Sequence, residues 1–595
     1  MQKHYLILIA CFMLVLGGSC KKYLDQVPND RITIDEVFKK KATSEQYLAN
    51  IYSYVDDPSE QWNQWPWFGN CDEGDVTWSK YPIYDLNIGN ISAGNALFDK
   101  WGYYYDAIRS ASYFILHIDE NVEIKALNGQ TLIDQYKAEA RFLRAYYYFL
   151  LMRQYGPVVL VGDTLAAPDA SAASMQLPRS PFDECVAYAA DELDKAASVL
   201  PLTPVLNGQT SDMNYGRATK GMAMAVKARL LLYAASPLYN GNTDQSGFKD
   251  QKGNALISQT FDPEKWKKAA DAAKAVIDLG QYSLYTDPGG DPVKSTQGIF
   301  SVAWNNEQIF DRKSNGLGTL DVHCMPRQAG GWDGIAPTQE QVDAYFMKDG
   351  LPIGESSLYT ETGFTTVNGA QVYNMYINRE PRFYASVTYN NSIFQGGNMS
   401  AAAPITFYVS GPNGKNGHPT DWSKTGYLVR KNVAPQTNAG SGGTGAQQNR
   451  PLVLFRLGEM YLDYAEALNE YDPGNSDILK YLNLIRQRAG ISQYGDGTDP
   501  LPIPIGKDEV RKKIWAERRV ELAFENHRWF DIRRWKIAPQ VMGTLHGMNI
   551  NKDGDDFYQR VVAVSHLFRN PASYWFPISQ YEMDRARLIV QNPGW

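Results

Sequence analysis

Residues 60–81 (EQWNQWPWFGNCDEGDVTWSKY) combine aromatic rings with carboxylate and amide groups. The segment holds four of the fourteen tryptophans, Trp62, Trp65, Trp67 and Trp78, interspersed with Asn70, Asp72, Glu73 and Asp75. This mixture suits sugar recognition, because an aromatic face covers the apolar C–H face of a pyranose while carboxylates and amides bond its hydroxyls. Trp65-Pro66-Trp67 is incompatible with a helix interior, since proline breaks the helical hydrogen-bond pattern.

We therefore predict a loop that binds ligand through its tryptophans, mainly Trp67 and Trp78 and less so Trp62. Trp65, Asn70 and Asp72 are predicted to contribute from the same loop. A tryptophan cluster that fastens the loop to the core is an equally weighted alternative for any one ring, because Trp is highly buried on average.

A second candidate segment covers residues 301–334. Trp332 lies between Gly331 and Asp333-Gly334, a tight turn on which a ring can be presented to a ligand. Arg327 is suited to bonding hydroxyls or a ligand carboxylate. Trp304 belongs to a short apolar pattern, so we expect it to be a core residue of a strand.

The stretch ERRVELAFENHRWFDIRRW, residues 517–535, raises the alternative of acid–base catalysis. Its acids are Glu517, Glu521, Glu525 and Asp531, with His527 among them. A glycoside hydrolase needs two carboxylates that approach one bond from opposite sides. Three acids on one helical face beside arginines indicate a structural ion-pair network instead, with His527 as a packed histidine.

Cofactor and metal motifs are weak. The seven histidines never form a zinc-binding spacing, and no Walker loop, nucleophile elbow or dinucleotide fingerprint occurs. Residues 549–555 half-match a calcium loop, but Arg560 stands where a bidentate Glu belongs, so we interpret them as a solvated turn. We expect no metal and no cofactor.

Composition limits the remaining classes. The chain has 595 residues, 44% of them hydrophobic and 21% charged, which excludes global disorder. Its net charge of −7 argues against a nucleic-acid partner, which requires a basic footprint. Aromatic residues make up 13% of the chain, a surplus that favours stacking on an extended ligand.

The N-terminus has the features of an export signal. Lys3 precedes an apolar run over residues 5–16, which is too short to span a bilayer, and small residues then lead to Cys20. The segment resembles a bacterial lipoprotein signal, although Gly17 replaces the usual leucine, and a plain secretory signal is the alternative. We predict removal of residues 1–19, lipidation of Cys20 and single buried thiols at the remaining cysteines.

Helical periodicity dominates the rest of the chain. One apolar stripe runs through Ala138, Phe142, Ala145, Phe149 and Met152, and a second, of mostly small residues, through Gly221, Ala225, Ala228, Leu232 and Ala235. Further helices are predicted near 43–55, 95–120, 181–199, 263–279 and 508–525. The pattern is typical of stacked helix pairs, as in tetratricopeptide repeats, interrupted by insertions near 56–92, 237–260, 281–335 and 390–450.

Six motifs and the C-terminus together resemble the SusD/RagB family of Bacteroidetes outer-membrane lipoproteins. The motifs are AEARFLRAYYYFLLMRQYGPVVL (138–160), GRATKGMAMAVKARLLLYAASPLYN (216–240), PTQEQVDAYFMKDG (337–350), FRLGEMYLDYAEALNE (455–470), LNLIRQRAG (482–490) and ERRVELAFENHRWFDIRRW (517–535), followed by the terminal FPISQYEMDRARLIVQNPGW. The resemblance covers the mature chain, with Gly458 as a small departure from the alanine usual there.

The resemblance implies a mainly α-helical fold, a superhelix of tetratricopeptide-like helix pairs with long irregular loop insertions and minor β structure. It implies one body over residues 20–595, with an N-terminal part to 236 and a C-terminal part from 237. It also implies a non-catalytic lipoprotein on the extracellular face of the outer membrane that passes glycans to a SusC-like TonB-dependent transporter. Peptide or other non-sugar cargo, a secreted glycoside hydrolase and a protein-binding scaffold are the alternatives.

Overall fold

The computed structural model describes residues 34–57, 67–163, 165, 169–171, 173–206, 209–210, 212–313, 317–434, 437, 448 and 450–595. Cys20, Trp62 and Trp65 lie outside the described residues. Within that part of the chain, no helix has the length and apolar character needed to span a bilayer.

Helices dominate the architecture, as predicted. The first nine are α1 Ile34–Val37, α2 Lys41–Ser53, α3 Pro82–Asn87, α4 Trp101–His117, α5 Val122–Asn128, α6 Gln130–Tyr155, α7 Phe182–Val199, α8 Lys220–Ala235 and α9 Glu264–Asp278. They are followed by α10 Pro292–Ser301, α11 Gly318–Cys324, α12 Gln339–Ala344, α13 Pro381–Ser386, α14 Leu457–Tyr471, α15 Ser476–Arg488, α16 Lys507–Glu521, α17 Arg528–Arg534, α18 Ala538–Val541 and α19 Gln580–Arg585.

The long helices pack side by side in one continuous array. Helix α4 packs on α6, α6 on α7, α7 on α8 and α8 on α9, and α14 then packs on α9 and α15. Both predicted stripes are buried in this array. The absence of a side chain at Gly221 in α8 lets the loop after α9 approach closely, because a Cβ there would lie 2.0 Å from the Tyr282 hydroxyl oxygen. Local sequence sets the end of α6, because Gly156 adopts a positive φ (+74°) and Pro157 follows it.

The strands are short and form two-stranded antiparallel sheets. They are β1 Gly74–Val76, β2 Val205–Leu206, β3 Gln209–Thr210, β4 Gln308–Arg312, β5 Ile335–Pro337, β6 Phe364–Val367, β7 Ala370–Tyr373, β8 Val387–Thr388, β9 Ile393–Phe394, β10 Ala403–Pro404, β11 Leu428–Val429, β12 Leu452–Arg456, β13 Thr544–Met548 and β14 Arg560–Ser565. The sheet of β1 and β5 joins distant insertions, with Gly74 opposite Pro337 and Val76 opposite Ile335. The insertion predicted over residues 281–335 also contains regular structure, namely α10, β4 and α11.

The acids of the 517–535 segment form a buried ion-pair network, which confirms the structural interpretation. Glu521 lies 2.8 Å from Arg456 and 3.0 Å from Arg382, and it also pairs with Arg488. Burial alone would raise the pKa of Glu521, but these three guanidinium groups outweigh it and hold that pKa well below its usual value. Glu525 pairs with Arg456 at 2.7 Å, so each carboxylate is already occupied by cations of the same core.

His527 and Asp531 complete this region. Asp531 pairs with Arg518 at 2.7 Å and with Arg534 at 2.9 Å. His527 is buried, and burial together with nearby arginines keeps its pKa well below the usual value, so the ring is neutral. Neither side chain is exposed to a substrate.

Candidate functional site

Trp67 was predicted to stack on ligand, and the structure corrects this prediction. Its side chain is only 1% exposed. The indole packs against Trp529, Phe530 and Phe576 at ring-centroid distances of 5.5, 5.2 and 5.6 Å. Trp67 therefore matches the alternative interpretation, in which the ring fastens the loop to the core. Removing its large apolar surface from water stabilises this packing.

Asn70 and Asp72 are also core residues, so their predicted contact with ligand is wrong. Asn70 donates its amide hydrogens to Asn87 and to the carbonyl of Ile83. Asp72 accepts two hydrogen bonds from Arg528, at 2.9 and 2.8 Å. Burial would raise the pKa of Asp72, but Arg528 and Arg519 together lower it to about 2, so the group is a paired carboxylate in the interior.

Pairing of β1 with β5 brings the two predicted segments together. The backbone N–H of Thr77 donates to the carbonyl of Gly334 at 2.9 Å, and the Thr77 hydroxyl donates to the carbonyl of Trp422 at 2.7 Å. The residues just beyond these strands, Trp78 on one side and Trp332 on the other, are therefore neighbours.

We use "the Trp332 platform" for the surface formed by Trp332, Arg327 and Asp421, with Trp78 and His323 beneath it. The Trp332 ring is half-buried and meets Trp78 edge-on, at 6.3 Å and 80°. His323 lies 5.0 Å from Trp332 and 5.4 Å from Trp78. Burial lowers the pKa of His323 to about 3, so a neutral imidazole supports both indoles.

Trp78 supports the platform and is not itself presented to ligand, which corrects the second leading prediction from the N-terminal segment. Only 8% of its surface is exposed. Its indole N–H donates to Asp421 Oδ1 at 2.8 Å, so the polar group that would bond a sugar is already used. Trp78 instead fixes the positions of Trp332 and Asp421.

Arg327 and Asp421 add both signs of charge to the platform and are connected to Trp332 through Trp78 and the turn at Asp333. The Arg327 guanidinium donates to Asp421 Oδ2 at 3.0 Å, and its side chain remains 28% exposed. The backbone N–H of Arg327 donates to the buried carboxylate of Asp333 at 3.1 Å, which ties the arginine to the turn that carries Trp332. The arrangement offers guanidinium N–H donors and a carboxylate acceptor next to an aromatic face, which suits a polyhydroxylated ligand.

The glycines around Trp332 are required by close approach. A Cβ on Gly334 would lie 1.7 Å from Trp78 Cη2, and one on Gly331 would lie 2.1 Å from the carbonyl oxygen of Met325. Asp333 itself adopts φ +51°, a conformation that non-glycine residues rarely take. The GGWDG sequence therefore makes a close-packed turn against Trp78.

Sequence reasoning missed Asp421 and its neighbours. Asp421 receives the indole N–H of Trp78 and the guanidinium of Arg327, and its own backbone N–H donates to His418 Nδ1 at 3.2 Å. Trp422 is half-buried, with the Lys415 ammonium 5.2 Å from its ring. The signal available in the sequence is the Asp421-Trp422 pair within the predicted 390–450 insertion.

Trp304, expected in the core of a strand, lies instead in the loop before β4. Its ring is half-buried and stacks on Tyr215. It is not part of the Trp332 platform.

No group of three or more His, Cys, Asp or Glu residues that could hold a metal occurs among the described residues.

Comparisons with known proteins identify relatives of this fold. Residues 299–595 match a protein-family model described as "SusD family", and residues 22–232 match one described as "Starch-binding associating with outer membrane". A SusD-like protein of Formosa agariphila is 41% identical over 159 residues, which cover 26% of this chain and 28% of that protein. The aligned region thus spans less than a third of that relative.

Solved structures extend the similarity to nearly the whole chain. A SusD-like protein from Bacteroides fragilis superposes with a TM-score of 0.75 at 25% identity, covering 96% of this chain and 100% of that one. A SusD-like carbohydrate-binding protein from the same species has a TM-score of 0.70 at 22% identity, covering 93% and 99%. The fold is thus the helix-pair architecture that these proteins share.

Proposed function

Because the chain belongs to the SusD family, we propose that it binds glycans at the cell surface and delivers them to a SusC-like TonB-dependent transporter in the outer membrane. The observation that carries this proposal is the Trp332 platform, where a half-buried indole packs on Trp78 and the Arg327–Asp421 ion pair is bonded to the same Trp78. Stacking on the ring and hydrogen bonds to the charged groups together recognise a sugar face and its hydroxyls.

The surface location is proposed from the family and from the N-terminal sequence. One of the two matching family models describes association with the outer membrane. A lipid on Cys20 would anchor the body at that membrane, since an acyl chain supplies membrane affinity without a spanning helix. The transporter is proposed as the partner on the same family basis.

Binding without turnover is the proposed mode of action. The carboxylates of the 517–535 segment are held in ion pairs, and Asp421 at the platform is bonded to Trp78 and Arg327. Among the described residues of the platform, Asp421 is the partly exposed carboxylate and Asp333 is buried, whereas glycoside hydrolysis requires two carboxyl groups that flank the scissile bond. The protein would hold its ligand and release it unchanged.

Isothermal titration of the full chain against a panel of purified oligosaccharides tests this function. We expect Trp332→Ala to weaken the affinity for the best ligand by about tenfold or more, because one stacking ring contributes about 1–2 kcal/mol or more in a binding hot spot. Tyr581→Ala, which removes an exposed ring of α19 outside the platform, should leave the affinity unchanged. Equal affinities in the parent and Trp332→Ala, or shortening of the glycan during incubation, would overturn the proposal.

A further inference from the structure

A pocket of about 440 Å³ lies where four segments of the chain meet. These are the loop after α7, the start of α8, the loop after α9 and the residues leading into β4. The volume is within the range of roughly 300–1,000 Å³ typical of small-ligand sites. None of its lining residues belongs to the Trp332 platform, so the pocket is a separate cavity.

A pair of stacked rings forms part of the pocket wall. The centroids of Tyr215 and Trp304 are 4.6 Å apart and their planes differ by 19°. Trp304 has φ +57°, a backbone conformation that persists in a non-glycine residue only when its surroundings enforce it. Asn305 supplies part of this constraint, because its amide donates to the carbonyls of Ile299 and Val302 at the end of α10, at 3.0 and 2.8 Å. The contacts around Trp304 thus keep its indole at the pocket wall although the backbone conformation of this residue is unfavourable.

Two buried oxygen atoms in the pocket wall have no hydrogen-bond partner among the residues that the structure describes. Asp311, on β4, is 4% exposed, and its Oδ1 accepts no hydrogen bond. Gln308 is 7% exposed; its amide N–H donates to Ile299 at 2.8 Å, which leaves Oε1 unpaired. Buried acceptors without donors are costly, so a ligand that supplies hydroxyl donors would relieve both.

The surroundings of Asp311 favour a neutral ligand. Burial raises the pKa of Asp311 well above its usual value. A protonated carboxyl both donates and accepts hydrogen bonds, as sugar hydroxyls require. A purely apolar ligand would leave Asp311 and Gln308 unsatisfied, and an amine would require the ionised carboxylate.

We propose that this pocket is a second carbohydrate site, which binds one neutral sugar ring against Tyr215 and Trp304 with its hydroxyls bonded to Asp311 and Gln308. This goes beyond glycan capture at the Trp332 platform, because the two sites share no residue and the proposal rests on different contacts. A molecule with two such sites would engage a glycan, or two separate sugars, at two points.

Saturation-transfer NMR of the full chain with glucose, galactose, mannose, xylose and N-acetylglucosamine tests the proposal, with glucosamine as the cationic probe. We expect at least one neutral sugar to receive saturation. Its affinity should fall by about tenfold or more in Trp304→Gly and in Asp311→Leu, since each variant removes a central contact. Trp304→Gly is chosen because glycine adopts φ +57° without steric cost, so the loop retains its path.

Controls separate loss of the site from loss of the fold. Thermal unfolding followed by circular dichroism must show that each variant is folded at the assay temperature, and Tyr581→Ala should bind like the parent. Three outcomes would overturn the proposal: no neutral sugar receives saturation, glucosamine alone does so, or the signal is lost in Trp332→Ala. Full affinity in both folded pocket variants would overturn it equally.

Discussion

Substituting Gly334 with alanine tests whether close packing under the platform positions its binding groups. The new Cβ would lie 1.7 Å from Cη2 and 2.1 Å from Cζ3 of Trp78. Carbon atoms in contact are separated by about 3.5–4.0 Å, so the indole must move by about 2 Å or the turn must open by as much. Trp78 is buried and its N–H is bonded to Asp421, so such a shift disturbs both its packing and that hydrogen bond.

The expected cost has two parts. Overpacking of this kind lowers the free energy of unfolding by about 1–3 kcal/mol. A displacement of about 2 Å also breaks the 2.8 Å hydrogen bond from the Trp78 indole to Asp421. Because a hydrogen bond to a charged group contributes about 1.5–3 kcal/mol, we expect glycan affinity to fall by about tenfold or more as Asp421 and Trp332 shift.

Denaturant unfolding and isothermal titration measure the two effects on the same preparations. Gly354→Ala is the matched control, because its Cβ would meet nothing within 4 Å, and it should change neither quantity. In a Trp78→Phe background, which lacks the outer indole carbons, Gly334→Ala should cost clearly less stability, giving a coupling energy of about 0.5–3 kcal/mol. Parent-like stability and affinity in Gly334→Ala, or strictly additive stability losses in the double variant, would refute the reasoning.

Two further predictions concern buried acids, both measured by denaturant unfolding. Glu521→Gln should lower the free energy of unfolding by about 3–5 kcal/mol, because Arg456, Arg382 and Arg488 lose their shared carboxylate. As the control, Glu355→Gln at an exposed position should change that free energy by less than about 0.5 kcal/mol. Equal losses of stability in the two variants would contradict the prediction. Burial raises the pKa of Glu73 from 4.5 to about 8. Between these two pH values the folded protein binds a proton at Glu73 that the unfolded chain has lost. The free energy of unfolding contributed by Glu73 therefore falls by about 1.4 kcal/mol for each pH unit of increase. Glu73→Gln should remove this slope, and identical pH profiles for parent and variant would show that the group titrates normally.

The helical frame could be predicted because its signals are local. The stripe through Phe142 and Phe149 in α6 has the spacing of one helix face, and Gly156-Pro157 ends the helix by backbone geometry. The ion-pair interpretation of residues 517–535 holds, but not for the predicted reason of one helical face, because α16 ends at Glu521 and Glu525 lies beyond it. Within the segment, Asp531 pairs with Arg518 and Arg534. What lay beyond local reasoning was the set of distant cations, Arg456 and Arg382, that complete the network.

The residues of the candidate site were less predictable from sequence than the helices. Local sequence context predicts Trp67 and Trp332 as ligand-binding rings, yet Trp67 is in the core and Trp332 is half-buried at the surface. Local sequence cannot separate these outcomes, because burial depends on which remote residues pack against the ring. Trp67 meets Trp529 and Phe576, more than 450 positions away, whereas Trp332 packs on Trp78 and His323 and stays half-buried.

Local sequence patterns are thus sufficient to predict the long helices, their buried stripes, the family and the aromatic and acidic residues available for binding. Which of those residues form a site depends on the packing of segments that are distant along the chain. Pairing of β1 with β5 brings Thr77 and Asp333 together across 256 residues, and that long-range contact assembles Trp332, Arg327 and Asp421 around Trp78. Periodicity is a property of neighbouring residues, but a binding surface is made by contacts between segments that no local pattern connects.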